Sequence, residues 1–353
     1  MKMSMFYPLK ITSVTAESID SKVFECDIRK VESSFFKFIP GQYINVRVII
    51  DNEEYIRSYS ICSLPDGISI KFGVKSQEEG KVSNFLLDNL VKDSIIEVSR
   101  PYGHFWLQDE IYKSKDIVAL VTGSGITPVF SMLKYFLENS SKKNTFSLIY
   151  GNKTKVQTMF LDQLKDIEEK YNNVRLYFKY TQEKDESSER IGKDLINSIL
   201  LQNNINIQDA YFLLCGKEEF ITSSKNILQE LIVPKERLKF EIFETSSLVD
   251  DGNEEVDKRS KGILEIDVED KLYSFEYDET EKSILEIAAE NGLELPYSCK
   301  KGICSTCVGQ LVEGEIRMKK NLALTEEEVE EGYILCCQSI LMGNYIKVRL
   351  DYL

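Results

Sequence analysis

One histidine, one tryptophan and no long apolar run are found in this chain of 353 residues. No stretch approaches the ~20 apolar residues that a bilayer span needs, and the N-terminus Met1-Lys-Met-Ser-Met-Phe6 lacks a signal-peptide core, so a cytoplasmic protein with no membrane span is expected. A net charge of −14 argues against nucleic acid as a partner. The sole histidine, His104 in the turn Pro101-Tyr-Gly103-His-Phe105, reads as a surface residue rather than a catalyst.

Cysteine is present in a pattern. Cys299, Cys304 and Cys307 stand at x4 and x2 spacing, and Cys337 follows after 29 intervening residues. Three thiolates on one short loop with a fourth from a distant segment match the plant-type arrangement that holds a [2Fe–2S] cluster. Gly302 in the middle of the loop suits a backbone that needs unusual dihedrals and close approach. The competing readings are a structural zinc site, which usually shows two Cys-x2-Cys pairs, and a disulfide framework, which a chain of this length does not need. Cys336 and Cys337 are adjacent, so the fourth ligand is ambiguous by one residue; Cys337 is the choice and Cys336 the bystander.

Length predicts two or three domains. The first hundred residues alternate or run apolar in short strands, Val23–Ile28, Tyr43–Ile50 and Ile68–Phe72, broken by Pro40-Gly41 and Pro65-Asp66-Gly67, which suggests an antiparallel barrel. Arg57-Ser58-Tyr59-Ser60, at the start of a strand ending at Ser63, combines a cation, an aromatic ring and hydroxyls that could hold an anion and a flat ring. Gly80-Lys81-Val82-Ser83 opens a helix that Ser83 could cap, offering N–H groups to phosphate. From Ile117 the pattern becomes strand and helix in alternation. Val121 is followed by Thr122-Gly123-Ser124-Gly125-Ile126-Thr127-Pro128 and a helix to Glu138; further strands are Thr145–Tyr150, Val174–Tyr180, Ala210–Cys215 and Leu238–Phe243, with helices near 156–170, 192–201 and 217–231. This predicts a parallel α/β sheet of about five strands whose glycine-rich turn could bind a dinucleotide, with Cys215-Gly216 at a strand end. The polar stretch 246–260 reads as a linker. Beyond it come paired strands, a helix at 283–290, the cysteine loop and a Thr325/Glu328 capping box. Residues 261–353 carry 10 basic and 19 acidic residues, an acidic module in which Lys300-Lys301 and Lys319-Lys320 stand beside the ligands as an expected salt-sensitive docking point.

The barrel, nucleotide sheet and cluster module resemble, in that order, the ferredoxin–NADP reductase superfamily and its oxygenase-reductase branch with a C-terminal ferredoxin domain. The resemblance rests on Arg57-Ser58-Tyr59-Ser60, Gly123–Pro128, Cys215-Gly216 and the four cysteines, and covers almost the whole chain. It implies domains at 1–110 (FAD-binding barrel), 111–245 (NAD(P)-binding α/β) and 261–353 (ferredoxin, α+β, of the β-grasp kind). It also implies that Arg57 binds the flavin pyrophosphate, with Lys81, Val82 and Ser83 completing the phosphate site and Ser58 beside it. Tyr59 would pack on the isoalloxazine, Ser60 would bond near N5, and Val74 and Lys75 would line the flavin. Thr122, Gly123, Gly125, Thr127, Pro128, Cys215 and Gly216 would hold the nicotinamide nucleotide, with Tyr59, Ser60 and Cys215 nearest the chemistry; the region around Glu241–Phe243 would approach the flavin. The flavin would be FAD rather than FMN. The implied enzyme is an NAD(P)H-dependent reductase passing electrons to an acceptor protein such as an oxygenase component; the alternative is a redox-sensing module that regulates a partner without rapid turnover. Lys153 and Lys155, with no carboxylate beside them in sequence, lean toward NADPH.

Overall fold

A computed structural model of the chain describes residues 5–31, 33–141, 143–184, 188, 190–244, 261–268, 270–278 and 281–350. The expected linker, 246–260, lies outside the described residues. Two compact units emerge, Met1–Ser246 and Ser247–Leu353.

The first unit opens with six antiparallel strands: β1 (Tyr7–Ser18), β2 (Ser21–Asp27), β3 (Tyr43–Ile50), β4 (Glu53–Ser60), β5 (Ser69–Lys75) and β6 (Ile95–Val98), in the order β4-β3-β6-β1-β2-β5. Alternate residues of β3, such as Ile44 and Val46, point inward with Phe24, Ile70 and Phe72. Asp51 and Asn52 both have positive φ, the two-residue turn whose twist matches a hairpin, and so lock β3 to β4. The edge strands then meet: Ile61 bridges Phe72, and the Cys62 N–H donates to the Lys71 carbonyl at 2.7 Å, closing the sheet into a barrel. Helix α1 (Lys81–Asn89) plugs it through Val82 and Leu86.

After α2 (Asp109–Ser114) the same unit continues as a five-stranded parallel sheet in the order β11-β10-β7-β8-β9. Its strands are β7 (Ile117–Thr122), β8 (Phe146–Asn152), β9 (Val174–Tyr180), β10 (Tyr211–Lys217) and β11 (Leu238–Glu244), joined through α3 (Ile126–Asn139), α4 (Leu161–Lys170), α5 (Lys193–Gln202) and α6 (Glu218–Glu230). All of Ile117–Val121 is buried, as expected for a central strand covered on both faces. The strand order reverses between β7 and β10, which opens a crevice beyond their carboxyl ends.

Helix α3 fastens sheet to barrel. The Ser131 hydroxyl donates to the Ser63 carbonyl at 2.6 Å and Lys134 Nζ to the Cys62 carbonyl at 2.5 Å. Burial pulls the Lys134 ammonium below its usual value.

The second unit is a mixed sheet, β13-β12-β18-β14-β16, with a two-stranded sheet β15-β17. The strands are β12 (Gly262–Val268), β13 (Lys271–Tyr277), β14 (Val308–Glu313), β15 (Ile316–Met318), β16 (Tyr333–Leu335), β17 (Ser339–Leu341) and β18 (Tyr345–Leu350). Helices α7 (Ile284–Glu290) and α8 (Glu326–Glu330) each begin with a complete capping box, Ser283 with Glu286 and Thr325 with Glu328.

Two local expectations change. The stretch Arg57–Ser60 ends a strand instead of starting one, because the Asp51-Asn52 turn recruits Glu53–Ile56 into pairing with β3. Helix α1 starts at Lys81 with Gly80 as its cap, so Ser83 is an interior first-turn residue whose hydroxyl donates back to the Gly80 carbonyl at 3.1 Å.

Candidate electron-transfer sites

In the first unit, β4 and α1 bring two cations to one aromatic ring. The Arg57 guanidinium lies 5.9 Å from the Tyr55 ring centroid and Lys81 Nζ 4.7 Å from it. Both cations are exposed, and the first N–H groups of α1, those of Lys81, Val82 and Ser83, have no carbonyl earlier in the helix to bond. Lys81 Nζ is paired with Asp51 Oδ2 at 3.3 Å and Glu53 Oε2 at 3.8 Å, so an anionic diphosphate fits such a surface where it takes the place of those carboxylates. Tyr55 was not singled out in the sequence; its even spacing from Arg57 along a strand was the available signal. Ser58 is held by Asn45 at 2.8 Å. Tyr59 leans on Phe72 with ring centroids 5.8 Å apart and is a partly exposed residue whose hydroxyl is desolvated by burial. Ser60 is almost wholly buried.

Phe72 precedes Gly73, whose missing Cβ leaves room for Thr127; a Cβ there would stand 2.7 Å from Thr127 Cγ2. The nucleotide turn therefore sits directly against the barrel strand that supports Tyr59. Thr122, Gly123 and Ser124 are partly open, whereas Gly125, Thr127 and Pro128 are buried. The open group could face a ligand; the buried group shapes the turn, with the Thr127 hydroxyl on the Ser124 carbonyl at 2.9 Å. Thr122 Oγ1 is buried and lacks a hydrogen-bond partner among the described residues, and a Cβ on Gly216 would collide with it. An orphaned hydroxyl beside a glycine at the switch point fits a nucleotide donor or acceptor.

Three of the expected residues have their side chains engaged inside the fold. The Val74 side chain is fully buried in the barrel core. Lys75 is committed elsewhere: its ammonium contacts Asp20 Oδ1 and the Gln157 carbonyl, both at 2.6 Å. Cys215 is fully buried and burial pushes its thiol up. The turn after β8 also acquires a carboxylate that its own sequence lacks, because the Lys155 N–H donates to Glu183 Oε1 at 2.9 Å.

Glu241 lies opposite Cys215 across β10 and β11. Its Oε2 is buried with no partner among the described residues, and burial raises the carboxyl to about 8. The folded protein therefore keeps a proton that the unfolded chain sheds above about 4.5. This stability is present in full at low pH and is lost as pH rises toward 8. The wild-type melting temperature should fall by on the order of several degrees between pH 5 and 8 through this group, and Glu241→Gln should flatten that dependence. Parallel wild-type and variant curves in differential scanning calorimetry would refute it.

In the second unit, the cysteine loop turns sharply: Lys300, Gly302 and Ser305 all have positive φ. A Cβ on Gly302 would approach the Lys320 carbonyl to 2.7 Å. The four thiols come together as two pairs. The Cys304 thiol bonds Cys299, lowering Cys299 and raising itself, and Cys307 with Cys337 repeats the arrangement. Two pairs suit two irons with one pair each. The Lys301 N–H points at Cys299 Sγ at 3.3 Å, and Thr306 Oγ1 lies 3.2 Å from Cys304 Sγ. Cys336 instead belongs to the core, fully buried, with its thiol raised to about 12.

Comparison with known families agrees segment by segment. Residues 8–106 match the oxidoreductase FAD-binding domain, 120–226 the oxidoreductase NAD-binding domain and 266–342 the 2Fe-2S iron-sulfur cluster binding domain. The chain is an oxidoreductase along which these three domain matches follow one another. It is an electron-transfer reductase that uses NAD(P)H, FAD and a [2Fe–2S] cluster.

This reductase is 29% identical to one of the subunits of the 1,2-phenylacetyl-CoA epoxidase of Escherichia coli K12, with 99% of each chain covered. It is 28% identical to the glycine betaine monooxygenase reductase subunit of Chromohalobacter salexigens over 94% of this chain and 92% of the relative. It is also 26% identical to the ferredoxin reductase component of 3-ketosteroid-9-alpha-monooxygenase of Rhodococcus rhodochrous, over 97% and 96%. Phthalate dioxygenase reductase shares the fold with TM-score 0.59 and 21% identity over 98% of both chains. An intact type IV self-sufficient cytochrome P450 monooxygenase matches 98% of this chain with 41% of its own, at TM-score 0.71 and 20% identity. No helix among the described residues is long and apolar enough to cross a membrane.

Proposed function

We propose that this reductase is the electron-supplying component of an oxygenase system and works in the cytoplasm, where its eight cysteines stay reduced or metal-bound. The observation that carries the reading is the match, over nearly whole chains, to a component of an epoxidase and to the reductase components of monooxygenases. Domain limits of 1–110, 111–245 and 261–353 go with it.

When bound, FAD accepts a hydride's electron pair and passes electrons singly to the [2Fe–2S] cluster. The chain's own residues supply placement. Arg57, Lys81 and the N–H groups opening α1 hold the flavin diphosphate, and Tyr59, braced by Phe72, covers the flat ring. Thr122, Gly123 and Ser124 line the nucleotide side, kept against the barrel by the Gly73–Thr127 contact. Cys299 with Cys304, and Cys307 with Cys337, would hold one iron each. Lys153 and Lys155 favour a 2′-phosphate while Glu183 opposes one, so the residues balance NADPH against NADH.

Anaerobic addition of NADPH or NADH to reconstituted protein tests the reading. Flavin bleaching followed by an EPR signal of a reduced diiron cluster is the expected result, with steady turnover when cytochrome c is added. Flavin without iron, or reduction without turnover, would defeat it.

A further inference from the structure

Lys300-Lys301 and Lys319-Lys320 belong to separate segments, yet the fold sets them on one rim. The Lys319 N–H donates to the Gln338 carbonyl at 2.8 Å, and the buried Gln338 side chain donates in turn to the Lys300 carbonyl at 3.0 Å. The Leu322 N–H donates to the Gly302 carbonyl at 3.0 Å, pressing Lys320 against the cysteine loop. Lys300 Nζ stands 4.3 Å over the Tyr297 ring, and Lys300, Lys301 and Lys319 are exposed. Lys319 and Lys300 also act together on Glu286, whose carboxyl is held low first by the Ser283 N–H and further by these two cations. Cys299, Cys304 and Cys337 are each partly open, so the accessible edge of the ligand set lies at this rim. Elsewhere the module is acidic.

We propose that this lysine rim is the docking surface for the electron-accepting protein and that it fits a carboxylate-rich face on that partner. The inference rests on the reading that electrons leave through the cluster. Charge of one sign concentrated at the exit edge steers encounter and sets register, even though the chain as a whole, at −14, repels an acidic body. Local and global charge thus make opposite forecasts.

Two haem acceptors of opposite charge decide between them: native cytochrome c, which is basic, and cytochrome c succinylated on its lysines, which is acidic. With the full-length holoprotein at low salt, the succinylated form is expected to show the lower KM. In K300E/K301E/K319E/K320E its KM should rise by at least about tenfold, with the preference inverted and high salt erasing the difference. The milder K301A/K319A variant should move the same way by roughly threefold, which guards against misfolding of the quadruple change. A wild-type preference for native cytochrome c, or an unchanged preference in both variants, overturns the proposal. So does slower reduction of the bound cluster by NAD(P)H in the variants, which would assign the rim to internal transfer. If the wild-type cluster is not reduced at all, the underlying function fails; if it is reduced normally and the preference does not move, only the rim fails.

Discussion

Cys337→Ser protein is expected to purify with flavin but with under about a tenth of the roughly two irons per chain that a [2Fe–2S] site holds, while Cys336→Ser keeps its iron. The two residues are neighbours, yet the end of β16 sends them opposite ways. Cys336 packs into the module core, its N–H on the Cys307 carbonyl at 2.9 Å. Cys337 is partly open, and its thiol is lowered first by the hydrogen bond with Cys307, then by the Gly302 N–H and the Gln338 amide. Of the two, Cys337 is the one whose thiol is hydrogen-bonded to another ligand thiol, Cys307, and metal binding displaces the protons of such a pair. Cytochrome c reduction in Cys337→Ser should drop about a hundredfold or more, since a factor of ten corresponds to only ~1.4 kcal/mol and the one-electron carrier is lost outright. Flavin reduction by NAD(P)H should stay within about twofold. Cys336→Ser should instead lower stability by about 1–3 kcal/mol, the cost of a buried hydroxyl without a partner. Iron and acid-labile sulfide assays beside thermal melts measure both; iron lost from Cys336→Ser and kept in Cys337→Ser would reverse the assignment.

Gly125→Ala should raise the KM for the nicotinamide nucleotide by about tenfold or more without emptying the flavin site. Gly125 has ordinary helical dihedrals, so the constraint is space rather than conformation. A Cβ there would meet the Cys215 carbonyl oxygen, lie 2.6 Å from its carbon and 3.1 Å from the Gly216 nitrogen. All three are backbone atoms of β10 and cannot swing aside as a side chain would. The turn must lift, taking Thr122 and Ser124 with it, at an overpacking cost of about 1–3 kcal/mol. Gly123 offers the contrast. It has φ +54 and nothing within 4 Å, so Gly123→Ala meets open space and costs about 1–2 kcal/mol of left-handed strain. Steady-state kinetics with bound flavin quantified will separate the two. A Gly125→Ala enzyme with normal KM would show that the close approach of turn and strand does not position the nucleotide.

Much of this architecture was legible in the residues. β3 and β9 begin and end where their apolar patterns do, and the Thr325/Glu328 capping box forms as spelled. β1 escaped because Thr12, Ser13, Thr15 and Ser18 dilute its pattern, and its pairing with both β2 and β6 supplies what propensity does not. The cysteine spacing pointed to a cluster, but the grouping into Cys299 with Cys304 and Cys307 with Cys337 depends on how the loop folds over. The burial of the Val74 and Cys215 side chains was not legible, because a linear pattern does not reveal which neighbours cover a strand residue. Glu183 beside Lys155 joins segments 28 residues apart, a proximity created only by the parallel pairing of β8 with β9.

The attachment of helix α3 to the chain just beyond Tyr59 and Ser60 has an entropic consequence. Because Ser131 and Lys134 grip the backbone at Ser63 and Cys62, the nucleotide turn at the head of that helix and the aromatic shelf of the barrel form a single preset gauge. Hydride donor and acceptor can then be registered by the scaffold before either arrives, and little rotational freedom remains to be surrendered at the moment of reaction.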